Sequence, residues 1–174
     1  MDIEPRVRPP LQVGERESLT AFLDLHRATM LRKVAGLSKA QLGRFGVPTS
    51  ALTIAGLVKH LALVEDSWLQ EVFLGRPLPE PWPRAPWEDD DWDFHSAPGD
   101  EPGELVGLYT AAVQRSRDVV AAAGSLDQLS VEPSQREGSP FSLRWIVRHL
   151  IEETARHAGH ADLIGEALDG QTGE

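Results

Sequence analysis

The sequence predicts an all-α protein, a four-helix bundle with long connecting loops. Four segments of roughly 20 to 27 residues place apolar side chains at helical spacing, and stretches rich in proline and glycine separate them. We find no alternating pattern of useful strand length and no internal repeat. The 174 residues are 41% hydrophobic and 25% charged, which suits one globular domain. We assign residues 1–14 to an N-terminal extension and residues 15–170 to the bundle.

The first two helices are predicted over residues 15–37 and 53–73. In the first, the apolar side chains at helical spacing are Leu19, Phe22, Leu23, Met30 and Val34. In the second, Thr53 is a plausible N-cap. The apolar stripe that follows it contains Leu57, Leu61, Val64 and Trp68. Gly75 and Pro77 are expected to end this helix.

A long irregular loop is predicted over residues 75–102, because seven prolines are too many for regular structure. Three large rings, Trp82, Trp87 and Trp92, favour a loop that packs against the bundle or against a partner chain. The alternatives are a tethered surface loop and a lid or interface.

The last two helices are predicted over residues 102–123 and 142–168, with an irregular link over residues 125–140. Gly124 is a natural stop for the third helix. The two long links exceed what a minimal up-down-up-down bundle needs, so one or both are expected to cross over.

Composition excludes several classes of function. The chain has no cysteine, which rules out disulfides, thiolate metal sites and cysteine nucleophiles. A formal net charge of -10 argues against nucleic-acid and anionic-membrane partners. Residues 1–10 lack the apolar core of a secretory signal, and no stretch has the length of a membrane span. We therefore expect a cytoplasmic protein.

The fourth helix contains an anomaly on its inward face. Ile146, Leu150, Glu153, His157, His160 and Ile164 fall on one stripe. The stripe is apolar at both ends and polar in the middle, where burial is most expected. A buried carboxylate is normally paired or bound to metal. Glu153 and His157 are four residues apart, so one oxygen and one nitrogen could converge on a divalent ion.

A third ligand would have to come from another helix. His60 lies at the edge of the apolar stripe on the second helix, and His26 on the first helix is a rival. His149 precedes Glu153 by four residues and could support that ligand by a hydrogen bond without binding the metal itself, while His95 in the long loop has no assigned role. The competing interpretation is a buried Glu153–His157 ion pair without metal, with His60 as a packed core residue.

Several segments resemble the DinB-like superfamily, in the actinobacterial branch that contains mycothiol-dependent maleylpyruvate isomerase. The last helix, residues 142–166, reads SLRWIVRHLIEETARHAGHADLIGE. The likeness extends through LTAFLDLHRATMLRKVAGL, GLVKHLALVEDSWLQEVFLGRPLP and DDDWDF. It covers most of the chain from about residue 15 onward, and the runs LVKHLALVE and EETARHAGHAD are specific when taken together.

The resemblance implies a four-helix bundle with a metal centre between helices. Carried over residue by residue, His60 matches the ligand on the second helix and His157 the later ligand on the last helix. Glu153 stands where many members have histidine, and the isomerase branch uses glutamate there. His160 stands where many members have glutamine. It is therefore a fourth ligand, a hydrogen-bond donor to substrate or a residue that contacts a ligand without binding the metal.

Three functions are compatible with this metal site. The first is transfer of a thiol, implied by the resemblance to be mycothiol, to a small electrophile, with His160 or His149 moving protons. The second is metal-dependent hydrolysis. The third is a non-catalytic, metal-stabilised binding or stress-response module. Zinc is the expected ion, with nickel and iron as alternatives. A small-molecule substrate and a homodimer are the expected partners. The resemblance does not imply that this chain acts on the isomerase's own substrate, because the additional C-terminal domain of the isomerase has no counterpart in these residues.

Overall fold

A computed structural model describes residues 5–170 and shows a mostly helical protein, which confirms the predicted fold class. The helices are α1 (Glu15–Val34), α2 (Lys39–Leu42), α3 (Ile54–Asp66), α4 (Trp92–Ser96), α5 (Pro102–Ala122) and α6 (Leu143–Asp169). A π-helical segment, Ser67–Phe73, continues α3. Residues 5–14 of the predicted extension form neither helix nor strand, and residues 1–4 lie outside the described part.

The four long helices α1, α3, α5 and α6 form the bundle. Helix α1 packs chiefly on α6 and α3 chiefly on α5, while α3 also contacts α1 and α6. The buried apolar side chains separate into two clusters. One includes Met30, Leu57, Leu61, Tyr109, Ala158 and Ile164. The other includes Leu23, Leu69, Phe73, Ile146 and Leu150. On α6, the polar residues Glu153 and His157 therefore lie at the boundary between the two clusters.

Helix ends follow the sequence signals. The Thr53 hydroxyl accepts a hydrogen bond from the Gly56 N–H at 3.0 Å, so Thr53 is the N-cap of α3 as predicted. The Ser142 hydroxyl accepts from the Trp145 N–H at 3.2 Å and caps α6 in the same way. These two caps set where α3 and α6 begin, and hence which of their side chains face each other.

The link over residues 125–140 was expected to be irregular, and that expectation is partly wrong. It contains a small antiparallel hairpin, β1 (Leu129–Pro133) and β2 (Pro140–Ser142). Leu129 and Val131 are 57% and 64% exposed, so β1 has no buried apolar face. Its sequence also lacks a run of alternating apolar and polar residues long enough to predict a strand. The Ser130 hydroxyl instead accepts from the Phe141 N–H at 2.9 Å and ties the two strands together.

The proline-rich loop packs on the bundle, which confirms the packed-loop prediction. Trp82 is fully buried and its indole N–H donates to Asp66 at 2.9 Å. Trp92 packs against the first apolar cluster, while Trp87 is 39% exposed. Short helical turns, including α4, replace much of the expected irregular backbone. Phe22, one of the apolar side chains at helical spacing on α1, is 46% exposed.

No helix within residues 5–170 is both long and apolar enough to cross a bilayer.

Candidate metal centre

His60 of α3 meets Glu153 and His157 of α6 at the boundary between the two apolar clusters. One ligand atom from each residue lies within 4.8 Å of the other two. The His157 Nε2 is 3.0 Å from Glu153 Oε1, and the His60 Nε2 is 3.5 Å from the same oxygen. The structure thus brings together the three side chains that the sequence nominated, two from one helix and one from its neighbour.

The three side chains are largely buried, but each keeps a small solvent-exposed fraction. Their exposed fractions are 22% for His60, 13% for Glu153 and 11% for His157. Burial lowers the pKa of His157, and the nearby His60 lowers it further, while Glu153 opposes the shift. A lowered pKa keeps the His157 imidazole neutral near pH 7, which is the form that binds metal.

Asp93 orients His60 from outside the cluster. The His60 Nδ1–H donates to Asp93 Oδ2 at 2.8 Å, because a carboxylate can only accept. In a neutral imidazole this bond places the hydrogen on Nδ1 and leaves Nε2, which lies 3.5 Å from Glu153 Oε1, available to bind an ion. Asp93 is 2% exposed. A buried carboxylate behind a histidine is the usual outer partner of a metal-ligating imidazole.

Sequence reasoning missed Asp93 because its role depends on the fold of the loop. The available signal was one acidic residue between two aromatic ones, Trp92 and Phe94, in the segment DDDWDF. In the structure these rings hold α4 against α3: Phe94 stacks on His60 with ring centroids 4.5 Å apart. A Cβ at Gly56 would come within 3.0 Å of the Phe94 ring, so only glycine permits this close approach without a shift.

Lys59 adds a second connection between α3 and the loop. Its ammonium group donates to Asp100 at 2.7 Å and to Ser96 at 2.8 Å, and lies 4.3 Å from the centroid of a Trp92 ring. Lys59 is 4% exposed. These contacts fasten the loop to α3 on both sides of Asp93, the residue that contacts His60.

The remaining histidines take different places. The His160 Nδ1 is 3.3 Å from the His157 Nδ1, so His160 contacts the far side of a candidate ligand. His149 lies on the other side of Glu153 among aromatic rings. His95 bonds to Asp89 in the exposed part of the loop. His26, the rival third ligand, does not belong to the group formed by His60, Glu153 and His157.

The donor set fits a divalent ion. Two imidazole nitrogens and one carboxylate oxygen are ligands that zinc and other first-row metals accept, and three protein ligands leave a coordination position for an exogenous group. The alternative ion pair explains the Glu153–His157 contact. It does not account for the convergence of His60, held by the buried Asp93, on the same carboxylate oxygen.

The metal-free protein is expected to lose stability as pH falls below about 6.5. Burial lowers the pKa values of His26, His149 and His157, so the unfolded chain binds more protons than the folded one below that pH. His95 works in the opposite direction, because its bond with Asp89 raises its pKa.

Urea unfolding in the presence of a chelator at about pH 5.5 and about pH 7.5 would measure this change. Replacing His149 with Gln should reduce the pH dependence, whereas replacing the exposed His95 should not. An equal free energy of unfolding at the two pH values would contradict the expectation.

Comparison with known proteins identifies the family. The sequence profile described as mycothiol S-transferase matches residues 18–170. A crystal structure of a conserved protein from Enterococcus faecalis has a TM-score of 0.69 at 15% identity, covering 92% of this chain and 100% of that one, and this likeness shows the fold alone. No curated protein matches the sequence. Because the profile spans the whole bundle and all three convergent side chains, the chain belongs to the mycothiol S-transferase family of DinB-like proteins.

Proposed function

We propose that the protein binds one divalent ion, most simply zinc, through His60, Glu153 and His157 and transfers mycothiol to a small electrophile. The observation that supports this most is the convergence of the three donor atoms within 4.8 Å, with His60 held by the buried Asp93. Family membership supports the choice of thiol. A homodimer and a cytoplasmic location remain predictions.

A bound divalent ion would supply Lewis acidity, which lowers the pKa of a coordinated thiol and favours the thiolate at neutral pH. The protein's own residues orient the ligands and exclude water. The bond to Asp93 favours the neutral His60 tautomer with its hydrogen on Nδ1, and the burial of Glu153 and His157 limits competition from bulk water.

Two imidazoles are placed to take up the thiol proton. His160 contacts His157, and His149 lies one helical turn before Glu153. Burial lowers the pKa of His149, so it is uncharged at neutral pH and able to accept a proton. We assign proton transfer to this pair of residues, which flank the candidate ligands on α6.

Thiol-dependent turnover tests the proposal. Metal-loaded protein would be incubated with chloroacetamides and with mycothiol, cysteine or no thiol, and product formation followed by mass spectrometry. We expect turnover with mycothiol that is lost in His157→Ala and retained in His95→Ala. Hydrolysis of ester or amide substrates without any thiol would favour the hydrolase. Metal-dependent stability without turnover would favour the non-catalytic module.

The outer carboxylate gives a further prediction. Asp93→Asn should weaken metal binding by about 10- to 100-fold, because the amide can present its NH₂ group to His60 and favour the wrong tautomer. Competition with a chromophoric chelator would measure the affinity. Asp89→Asn is the matched control, since Asp89 bonds to the exposed His95 in the same loop. Equal affinities for both variants would show that Asp93 does not support the site.

A further inference from the structure

Four aromatic rings form a continuous cluster beside the candidate metal centre. The aromatic cluster consists of Trp68, Phe141, Trp145 and His149. Trp68 lies 5.1 Å from Phe141, 5.3 Å from Trp145 and 4.7 Å from His149 between ring centroids. Trp145 stacks on His149 at 5.2 Å with an interplanar angle of 17°. These are the separations at which aromatic rings attract each other.

The aromatic cluster continues the same two helix faces that build the metal centre. On α6, Trp145, His149, Glu153 and His157 follow one another at four-residue steps, which places them along one ridge. Across from them, His60 faces Glu153, and Trp68, eight residues later, faces His149. His149 is therefore one helical turn from Glu153, about 5–6 Å along the axis.

Trp68 lies at the start of the π-helical segment that follows α3. Ser67–Phe73 departs from α-helical winding directly after α3, and such segments often occur at functional sites. Trp68 is its second residue, and its ring contacts three other members of the aromatic cluster.

The aromatic cluster is accessible and mostly apolar. Trp145 is 46% exposed, and Trp68 and Phe141 are half-buried. All three line a cavity of about 560 Å³ together with residues of the hairpin, among them Arg136 and Ser139. A cavity of this size accommodates a small molecule. A ligand ring placed there would meet ring edges and faces, the geometry that aromatic pairs prefer.

We propose that the aromatic cluster binds an aromatic group of the electrophilic substrate and thereby selects aryl-bearing electrophiles. This inference rests on the proposed transferase function. With a chloroacetamide, the thiolate sulfur forms a C–S bond to the methylene carbon and the C–Cl bond breaks. Chloride leaves with the bonding electron pair, and the thiol proton passes to solvent by way of His149 or His160. Because His149 lies one helical turn from Glu153 and contacts both Trp68 and Trp145, an aryl group one short linker away from that carbon would extend towards these two rings.

A binding measurement tests the site without requiring turnover. The unreactive probe N-benzylacetamide would be titrated into zinc-loaded protein while the indole N–H signals are followed by NMR. We expect shifts for Trp68 and Trp145 and no shift for Trp82, which is buried elsewhere in the bundle. Unchanged signals for Trp68 and Trp145 would overturn the proposal, including the case in which a second copy of the chain covers them.

A kinetic measurement tests selectivity with two substrates that share one reactive group. N-benzyl-2-chloroacetamide and N-methyl-2-chloroacetamide differ in the aryl group. Trp145→Ala should lower kcat/KM about tenfold for the benzyl compound and less than about twofold for the methyl compound. Trp68→Leu, on the opposite helix, should act in the same direction. Trp87→Ala is the control, because Trp87 is a partly exposed tryptophan that does not belong to the aromatic cluster.

The outcomes separate this inference from the proposed function. If Trp145→Ala lowered kcat/KM equally for the two substrates, the aromatic-group site would be overturned and the transferase function would stand. The same conclusion would follow if the variant raised the KM for the thiol and left the KM for the electrophile unchanged. Absence of thiol-dependent turnover with either substrate would overturn the proposed function, and the N-benzylacetamide titration alone would then decide whether the aromatic cluster binds an aryl group.

Discussion

Glu153→Gln is expected to reduce zinc affinity by more than about 100-fold, which exceeds the usual effect of removing an outer partner. The amide is uncharged, so the cluster loses its one anionic ligand and keeps two neutral imidazoles. His157→Ala should have a similar effect, because it removes a nitrogen that lies 3.0 Å from the Glu153 carboxylate. Thiol-dependent activity should fall with metal occupancy. Isothermal titration of metal-free protein would measure the affinity.

Glu152→Gln is the matched control for this prediction. Glu152 precedes Glu153 on α6, has a 55% exposed side chain and pairs with Arg156. It should retain wild-type zinc affinity. Circular dichroism should show that all variants remain helical, since the apolar clusters do not depend on the ion. Stoichiometric zinc in Glu153→Gln would show that Glu153 and His157 form an ordinary core ion pair.

Arg27→Met is expected to destabilise the protein by about 3–5 kcal/mol. Arg27 of α1 donates two hydrogen bonds to Glu65 of α3, at 2.7 and 2.6 Å, and the two side chains are only 4% and 2% exposed. Burial by itself would lower the pKa of Arg27, but the charge and hydrogen bonds of Glu65 outweigh it and raise that pKa. Removing the guanidinium leaves the Glu65 carboxylate buried without its partner.

Chemical denaturation would measure this loss of free energy of unfolding. The control is Lys39→Met, which breaks a pair with Glu101 whose side chains are 42% and 64% exposed and should cost less than about 1 kcal/mol. Arg27→Met combined with Glu65→Met should recover much of the loss, because neither charge then remains buried. A loss below about 1 kcal/mol in the single variant would show that Glu65 finds another partner or becomes neutral.

The four long helices were predictable because each one has an apolar face at helical spacing and a recognisable end. Thr53 and Gly124 are examples of such end signals. The hairpin was not predictable, since Leu129 and Val131 face solvent and the two strands are short. The exposure of Phe22 was not predictable, because helical spacing identifies an apolar face without showing how far the neighbouring helix covers it.

The candidate site likewise contains residues that the sequence predicts and residues that it does not. Glu153 and His157 could be found because a polar pair interrupts an apolar stripe on one helix, and the family resemblance selected His60 over His26. Asp93 and the aromatic cluster could not be found, because they depend on contacts between distant segments. Asp93 reaches His60 only through the close packing of α4 on Gly56, and Trp68 meets Trp145 only after α3 and α6 have packed.

Cobalt substitution provides the most direct test that His60, Glu153 and His157 hold an ion accessible to thiol. Protein loaded with one equivalent of Co²⁺ would be titrated with mycothiol while its absorption spectrum is recorded. We expect a sulfur-to-cobalt charge-transfer band that saturates at one thiol per protein, is unchanged in Glu152→Gln and is absent in His157→Ala. A spectrum of bound Co²⁺ that mycothiol leaves unchanged would contradict a thiol-binding metal centre.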